Sequence, residues 1–377
     1  MLLQERFKRV KAYAGVILIQ FGFAGQGILA KTALNQGMSH FTFSVFRNGI
    51  AALVFAPFAI FHERKVRPSM TISIFFKIFM MGLLEPVIDQ NLYYAGMKYT
   101  TATFAITLSN IVPALIFIMA WISGLEKVKL NSRHSQGKIL GTIVTVGGAM
   151  VMTLFKGPPL GLPWTKQTSL HQSSSATTSP YPHDSLKGAL MISAGCICWA
   201  SFTILQAVTL KEYPAELSLT ALICGMGSLQ GTILTLAVER GNFGIWSVHW
   251  DTKFITALYS GVICSGVAYY VSGVIMQERG PVFVTAFNPL GMILVAVLSS
   301  FILSEQLDLG SVLGAIVIVT GLYLVIWGKS KDETSCNKII DKDEEATAAN
   351  DLEMTTKDDD GISVPGGKLP SHNTTAV

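Results

Sequence analysis

The sequence predicts an all-α membrane protein of ten transmembrane helices, arranged as two inverted five-helix repeats. Three observations carry that prediction. Half of the 377 residues are hydrophobic and only 14% are charged, too few to cover a soluble protein of this size. Ten apolar stretches are long enough to cross a bilayer, and a polar stretch divides them five and five. An odd number per half makes the two halves enter the membrane from opposite sides. Mean hydropathy is +0.47.

The elements follow in chain order. Residues 1–11 are a basic N-terminus, with Arg6, Lys8, Arg9 and Lys11 ahead of the first span. The first repeat covers 12–154, with spans near 12–32, 43–62, 73–94, 101–123 and 137–154. Its first apolar run is too long for a signal peptide and ends at Lys31 without a clear cleavage site. Residues 155–186 are rich in Ser, Thr and Pro and read as an extracytoplasmic linker between halves. The second repeat covers 187–328, with spans near 187–207, 218–238, 254–275, 282–303 and 311–328. The tail, 329–377, carries eleven Asp and Glu against six Lys and Arg. Few apolar residues accompany them, so the tail is expected to be disordered and cytoplasmic.

Orientation follows from the loops. A cytoplasmic N-terminus places 15 Lys and Arg on the inner side and 7 on the outer side, which is the positive-inside bias. Ten crossings return the C-terminus to the cytoplasm. The membrane expected is the plasma membrane, with the tonoplast as the alternative.

The halves also align with each other. A shift of 179 residues brings Gly82 onto Gly261, Met97 onto Met276, Phe104 onto Phe283 and Glu126 onto Glu305. A shift of 173 brings Gly141 onto Gly314 and Gly148 onto Gly321. One six-residue length difference, between 127–138 and 306–311, reconciles the two shifts. Under this alignment Glu85 meets Cys264 and Asp89 meets Ala268, so the intramembrane acids belong to the first half alone.

Several function classes are excluded. There is no basic stripe with interleaved aromatics, so nucleic acid is not expected as a partner. No GxSxG, HExxH or Walker A pattern is present, and neither enzyme activity, a metal nor a cofactor is expected. Four of the five cysteines lie in apolar runs and read as small helix residues.

The informative residues are those costly to bury. An ionisable group at the bilayer centre costs roughly 2.5–3.5 kcal/mol on insertion scales. Glu85 and Asp89 are four apart, hence on one face of the third span. Asp89 lies about 7 Å and Arg47 about 6 Å from the outer end of their spans at 1.5 Å per residue. Similar depth and opposite charge predict that Arg47 and Asp89 pair, as an outer gate or as a structural ion pair. Mid-membrane burial disfavours the charged form of Glu85, which makes it the candidate carrier of a coupling proton. Lys77, near the inner end of its span, can snorkel to water.

Gln20, Gln90, Asn91, Tyr94, Asn110, Gln206, Tyr269 and Asn288 are polar residues within spans. Each alone reads as interhelical glue; together with Glu85 they are candidates to line a central substrate cavity. Pro86, Pro113 and Pro289 interrupt helices and free backbone carbonyls. Asn110 with Pro113 and Asn288 with Pro289 recur in corresponding spans, four and nine. Interrupted helices at corresponding positions point to a transport site, though an ordinary kink gives the same pattern.

Specific runs carry a family resemblance. They are Gln20-Phe21-Gly22-Phe23-Ala24-Gly25, the stretch Gly82 to Tyr94 (GLLEPVIDQNLYY), Arg279-Gly280-Pro281-Val282-Phe283, Gly321-Leu322-Tyr323, and Trp327-Gly328-Lys329-Ser330. Through these the chain resembles the plant UMAMIT amino acid transporters, nodulin-like EamA-type members of the drug/metabolite transporter superfamily. The likeness covers roughly 12–330. It departs at Phe23, where the family often has Tyr, and at Asn48, where many members have His. The resemblance implies two EamA repeats, a central cavity and bidirectional movement of amino acids across a plant membrane by alternating access. One related branch implies an alternative, export of auxin or another hydrophobic metabolite. A reading of another class is a membrane receptor or scaffold whose tail recruits partners. The partners expected are a small-molecule substrate, the lipid bilayer and, as candidate coupling ion, a proton.

Overall fold

In the computed structural model, helix follows helix along the chain, and two of the spans are rewound midway. The structure describes residues 2–35, 38–65, 67–97, 99, 102–126, 132–155, 158–160, 182–239, 243–246, 252–302 and 307–329. Most of the expected linker 155–186 and the tail beyond 329 therefore lie outside the described residues.

The first half comprises α1 (Leu2–Asn35), α2 (His40–His62), α3 (Ile72–Gly82), a π-helical segment (Leu83–Asp89), α4 (Gln90–Met97), α5 (Ala102–Ser109), α6 (Val112–Ile122) and α7 (Arg133–Leu154). In the second half come α8 (Pro182–Glu212), α9 (Glu216–Val238), α10 (Thr252–Tyr259), a second π segment (Ser260–Val267), α11 (Ala268–Arg279), α12 (Pro281–Ala286) and α13 (Asn288–Ile302). The last helix, α14, spans Leu309–Lys329. A two-residue antiparallel pairing, Pro159–Leu160 with Leu307–Asp308, is an addition to the all-helical expectation.

Seven helices among the described residues are long and apolar enough to cross a membrane, with Val112–Ile122 as a shorter apolar helix. The sequence predicts ten spans. The first, third and fourth fall on helices that are unlike the seven. Helix α1 has side chains outside the described residues, at 2–9, 28 and 31–35. The α3–π–α4 stretch carries Lys77, Glu85 and Asp89. The α5–α6 stretch is broken at Asn110 and Ile111.

Packing crosses between the halves. Helix α2 packs against α9, its counterpart in the other repeat, and α6 packs against α12. The α8 contacts with α4 and the first π segment are matched by the α1 contacts with α11 and the second π segment. Buried apolar clusters mix the halves in the same way: Ala51, Ile74 and Met81 pack with Phe202, Leu219, Ile223 and Tyr269. Large apolar side chains such as Leu53, Phe61, Ile72 and Ile122 remain exposed, as a lipid-facing surface requires.

Two glycines let the rewound helices approach the α2–α9 pair. A Cβ on Gly82 would stand 3.0 Å from the Gly227 nitrogen of α9. A Cβ on Gly261, its counterpart in the second half, would stand 2.6 Å from the Arg47 carbonyl oxygen of α2. Both lie where a span enters or begins its π segment, so each rewound helix meets the α2–α9 pair through a glycine.

The α2–α9 pair is also fastened at both ends. Glu63, just past the end of α2, accepts hydrogen bonds from the Leu217 and Ser218 amides at 2.9 and 2.7 Å. Those are unpaired amides of the first turn of α9, where a carboxylate is favoured. Glu239, just past the end of α9, accepts a 3.2 Å hydrogen bond from the Ser39 hydroxyl, at the N-cap of α2. Tyr213 is buried beside the first fastening, and burial raises its phenol above the ordinary value.

Candidate functional site

The site is built on the two π segments. Pro86 has no amide hydrogen, so it cannot continue the α-helical ladder. The helix widens instead, and the Gln90 amide bonds the Glu85 carbonyl five residues back. The second π segment has no proline; there the Ala268 amide bonds the Ile263 carbonyl, again five back. The 179-residue shift places Leu83–Asp89 on Val262–Ala268, so the rewound turns correspond in the two halves.

Arg47 of α2 stands between them. Its Nε donates a 2.6 Å hydrogen bond to the Ser265 hydroxyl of the second π segment. One of its terminal nitrogens, Nη2, lies 3.9 Å from Glu85 Oε1 on the first. Arg47 is 6% exposed and Glu85 6%, so this is a buried pair rather than a surface one. Glu85 Oε1 also accepts from the Gln90 side-chain amide at 3.1 Å. The other oxygen, Oε2, and the Tyr269 hydroxyl are buried without a hydrogen bond of ordinary geometry, and the tyrosine stands close enough to the Glu85 carboxylate to donate to it.

The carboxylate nearest the Arg47 fork is thus Glu85, and not the expected Asp89. The reason is the π winding. On an α-helix, residues four apart share a face; here residues five apart do, which is why Gln90 reaches Glu85. Asp89 stays within electrostatic reach of both Arg47 and Glu85 but lies against α8, where a Cβ on Gly195 would come 2.8 Å from its Oδ1. Tyr94 borders the cluster; its ring meets His40 at a tilt, 5.3 Å between centroids, and Tyr93 edge to face at 5.8 Å.

The remaining candidates are distributed around this centre. Gln20 of α1 donates to the Asn288 side chain at 3.3 Å, joining the first span to the start of α13, where Pro289 is buried. Two residues on, the Gly22 carbonyl accepts from Tyr259 at 3.2 Å and from the Cys264 thiol at 3.5 Å, so α1 abuts the second π segment. Asn91 bonds its own helix through the Val87 carbonyl at 2.6 Å. Asn110 is buried at the α5–α6 break with its amide nitrogen unpartnered. Gln206 is buried on α8 near Gly273 of α11. Pro113 sits in the first turn of α6, beside a small cavity lined by Thr142, Thr145, Val282, Ala286 and Val325. Both threonine hydroxyls there bond their own helix carbonyls, so that cavity offers a ligand little polarity.

Sequence reasoning missed Ser265, Ser44 and the buried thiols. Ser44 donates to the Pro86 carbonyl at 2.9 Å, and Cys224 to the Ser265 carbonyl at 3.5 Å. The internal repeat held a signal for one of them, because the 179-residue shift places Pro86 on Ser265. Lys77 pairs with Glu212 at 2.6 Å, away from the cluster, as a snorkelling lysine would. A second buried pair joins Lys138 to Glu126 at 2.9 Å.

Comparison with known proteins bears on this arrangement. The model of the EamA-like transporter family matches twice, over residues 10–154 and 186–327. The chain belongs to the EamA-like transporter family. The two matched segments are the two halves whose rewound helices face each other across Arg47. Two WAT1-related proteins of Arabidopsis thaliana are similar over nearly the whole chain. One is 59% identical over 338 residues, covering 90% of each chain. The other is 53% identical over 355 residues, covering 94% of this chain and 92% of the relative. A crystal structure aligns with a TM-score of 0.60 at 13% identity, over 84% of this chain and 96% of the other, which shows a shared fold. This EamA protein is a multi-pass membrane protein of a transporter family, and its relatives point to transport rather than catalysis.

Proposed function

We propose that this EamA protein is a bidirectional facilitator of amino acids that works by alternating access. Its two halves are inverted five-helix units, ten crossings in all, with both termini in the cytoplasm and the plasma membrane as the site of action. They rock about a polar centre at mid-membrane. The observation that carries this reading is Arg47, a buried cation tied to a π segment from each half. A charge in that position is sensitive to any relative movement of the halves. Glu85, Gln90 and Tyr269 line the centre, and Gln20 with Asn288 supports its α1 side. Two carboxylates beside one guanidinium make a proton the candidate coupling ion.

The test is radiolabelled glutamine flux in oocytes, in both directions, at external pH 5.5 and 7.5. Flux both ways, indifferent to pH, is the expected facilitator result. Flux that rises steeply at pH 5.5 assigns a proton to the cycle. A second reading is export of auxin, favoured by the ring series His40, Tyr94 and Tyr93 beside the cluster, which suits a flat aromatic acid. Indole-3-acetate flux without glutamine flux selects it. A receptor or scaffold role would survive loss of both fluxes and fail on deletion of 331–377.

A further inference from the structure

We infer that Arg47 and Glu85 together form a receptor for a zwitterion, the guanidinium taking the carboxylate of the substrate and Glu85 taking its ammonium. This rests on the transport reading above and assigns the two poles of the substrate within that site.

The first observation is the gap. Oppositely charged side chains that close on each other bond at hydrogen-bond distance, with arginine commonly bidentate. Here Nη2 and Oε1 stand 3.9 Å apart, an ion pair without a hydrogen bond. Both partners are held back from closing. Arg47 is drawn toward the second half by its short bond to Ser265, and Glu85 Oε1 is held by Gln90.

The second observation is what remains unspent. A guanidinium has five N–H donors. The hydrogen bond that Arg47 makes among the described residues uses only Nε. Glu85 Oε2 is buried without a hydrogen bond of ordinary geometry, and the Tyr269 hydroxyl is the donor that stands near its carboxylate. Buried polar atoms are ordinarily satisfied, so a guanidinium with unspent donors, 3.9 Å short of the nearest oxygen of a buried carboxylate, marks the place of a polar ligand.

Charge selects the ligand. A lone carboxylate on Arg47 would bring a like charge against Glu85, with Asp89 adding a second nearby. A lone amine on Glu85 would oppose Arg47. A molecule with both poles, one carbon apart and neutral overall, matches both and leaves neither buried charge uncompensated. Such a ligand also joins the halves, because its carboxylate sits on the arginine tied to the second π segment and its ammonium on the first. The aromatic and apolar residues around the cluster then contact the side chain of the substrate without strong discrimination.

The experiment is competition against labelled glutamine flux in oocytes, with unlabelled glutamine, glutaminamide, N-acetylglutamine and indole-3-acetate as competitors. In the wild-type protein, glutaminamide (no carboxylate) and N-acetylglutamine (no free ammonium) should each compete about tenfold or more weakly than glutamine. Indole-3-acetate should compete no better. Arg47→Gln should abolish the preference for the acid over the amide, and Glu85→Gln the preference for the free amine over the acetylated form, with surface expression checked by biotinylation. Equal competition by glutamine and its two derivatives in the wild type overturns the receptor while leaving amino acid transport intact, and it needs no mutant to fold. Absence of glutamine flux itself overturns the amino acid reading, and the receptor with it.

Discussion

The two π segments occupy the same place in the two halves and differ in nearly everything but winding. The first holds Glu85, Pro86 and Asp89; its counterpart holds Cys264, Ser265 and Ala268. The first is forced by a proline, the second is wound among glycines. Their shared geometry shows that the wide turn does not depend on proline. Their unshared chemistry shows that the charge serves one half only. Ser265 turns the second segment into an anchor for the arginine whose charge the first segment answers.

The largest break in this comparison is Arg47→Gln, which removes the residue common to both segments. It leaves Glu85 buried without its cation, a change worth about 3–5 kcal/mol when one partner of a buried pair is lost. Glutamine flux should fall by about two orders of magnitude, together with the melting temperature in detergent. Wild-type flux in that variant would refute the central role of the arginine.

A smaller effect is expected from alanine at the two glycines that admit the rewound helices. Overpacking typically costs about 1–3 kcal/mol. Gly261→Ala should sit toward the upper end, since its Cβ would meet a backbone oxygen at 2.6 Å; Gly82→Ala should cost less, with its nearest atoms at 3.0 Å. Thermal unfolding followed by fluorescence size exclusion ranks the two. A reversed order would mean that the α2 side yields more readily than the α9 side.

The finest comparison is between charges inside and outside the cluster. Asp89→Asn should lower flux several-fold, whereas Lys77→Gln, on a half-exposed pair with Glu212, should change stability by no more than about 0.5 kcal/mol. Equal, wild-type transport in both would sink the idea that Asp89 belongs to the working centre.

Much of this was legible in the residues. The apolar stretches and the correspondence of Gly82 with Gly261 pointed to two halves, and the rarity of intramembrane charge pointed to Arg47, Glu85 and Asp89. The pairing was not legible. A proline in a membrane helix reads as a kink, and the four-residue rule for shared faces assumes α winding, so depth suggested Asp89 where the structure brings Glu85. Nor was Ser265, because serines in apolar helices usually bond their own carbonyls. Glu63 and Glu239 resemble ordinary loop charges, and only the antiparallel packing of α2 with α9 gives each a helix start to hold.

The two fastenings restrict how α2 and α9 can move against each other. A helix pair fastened at both ends can roll but cannot splay. For the rocking proposed above, α2 and α9 then act as an axle, one journal from each half, and the remaining helices are its levers. A displacement that opens one face must close the other, by leverage alone, with no message passing between the two mouths of the pathway.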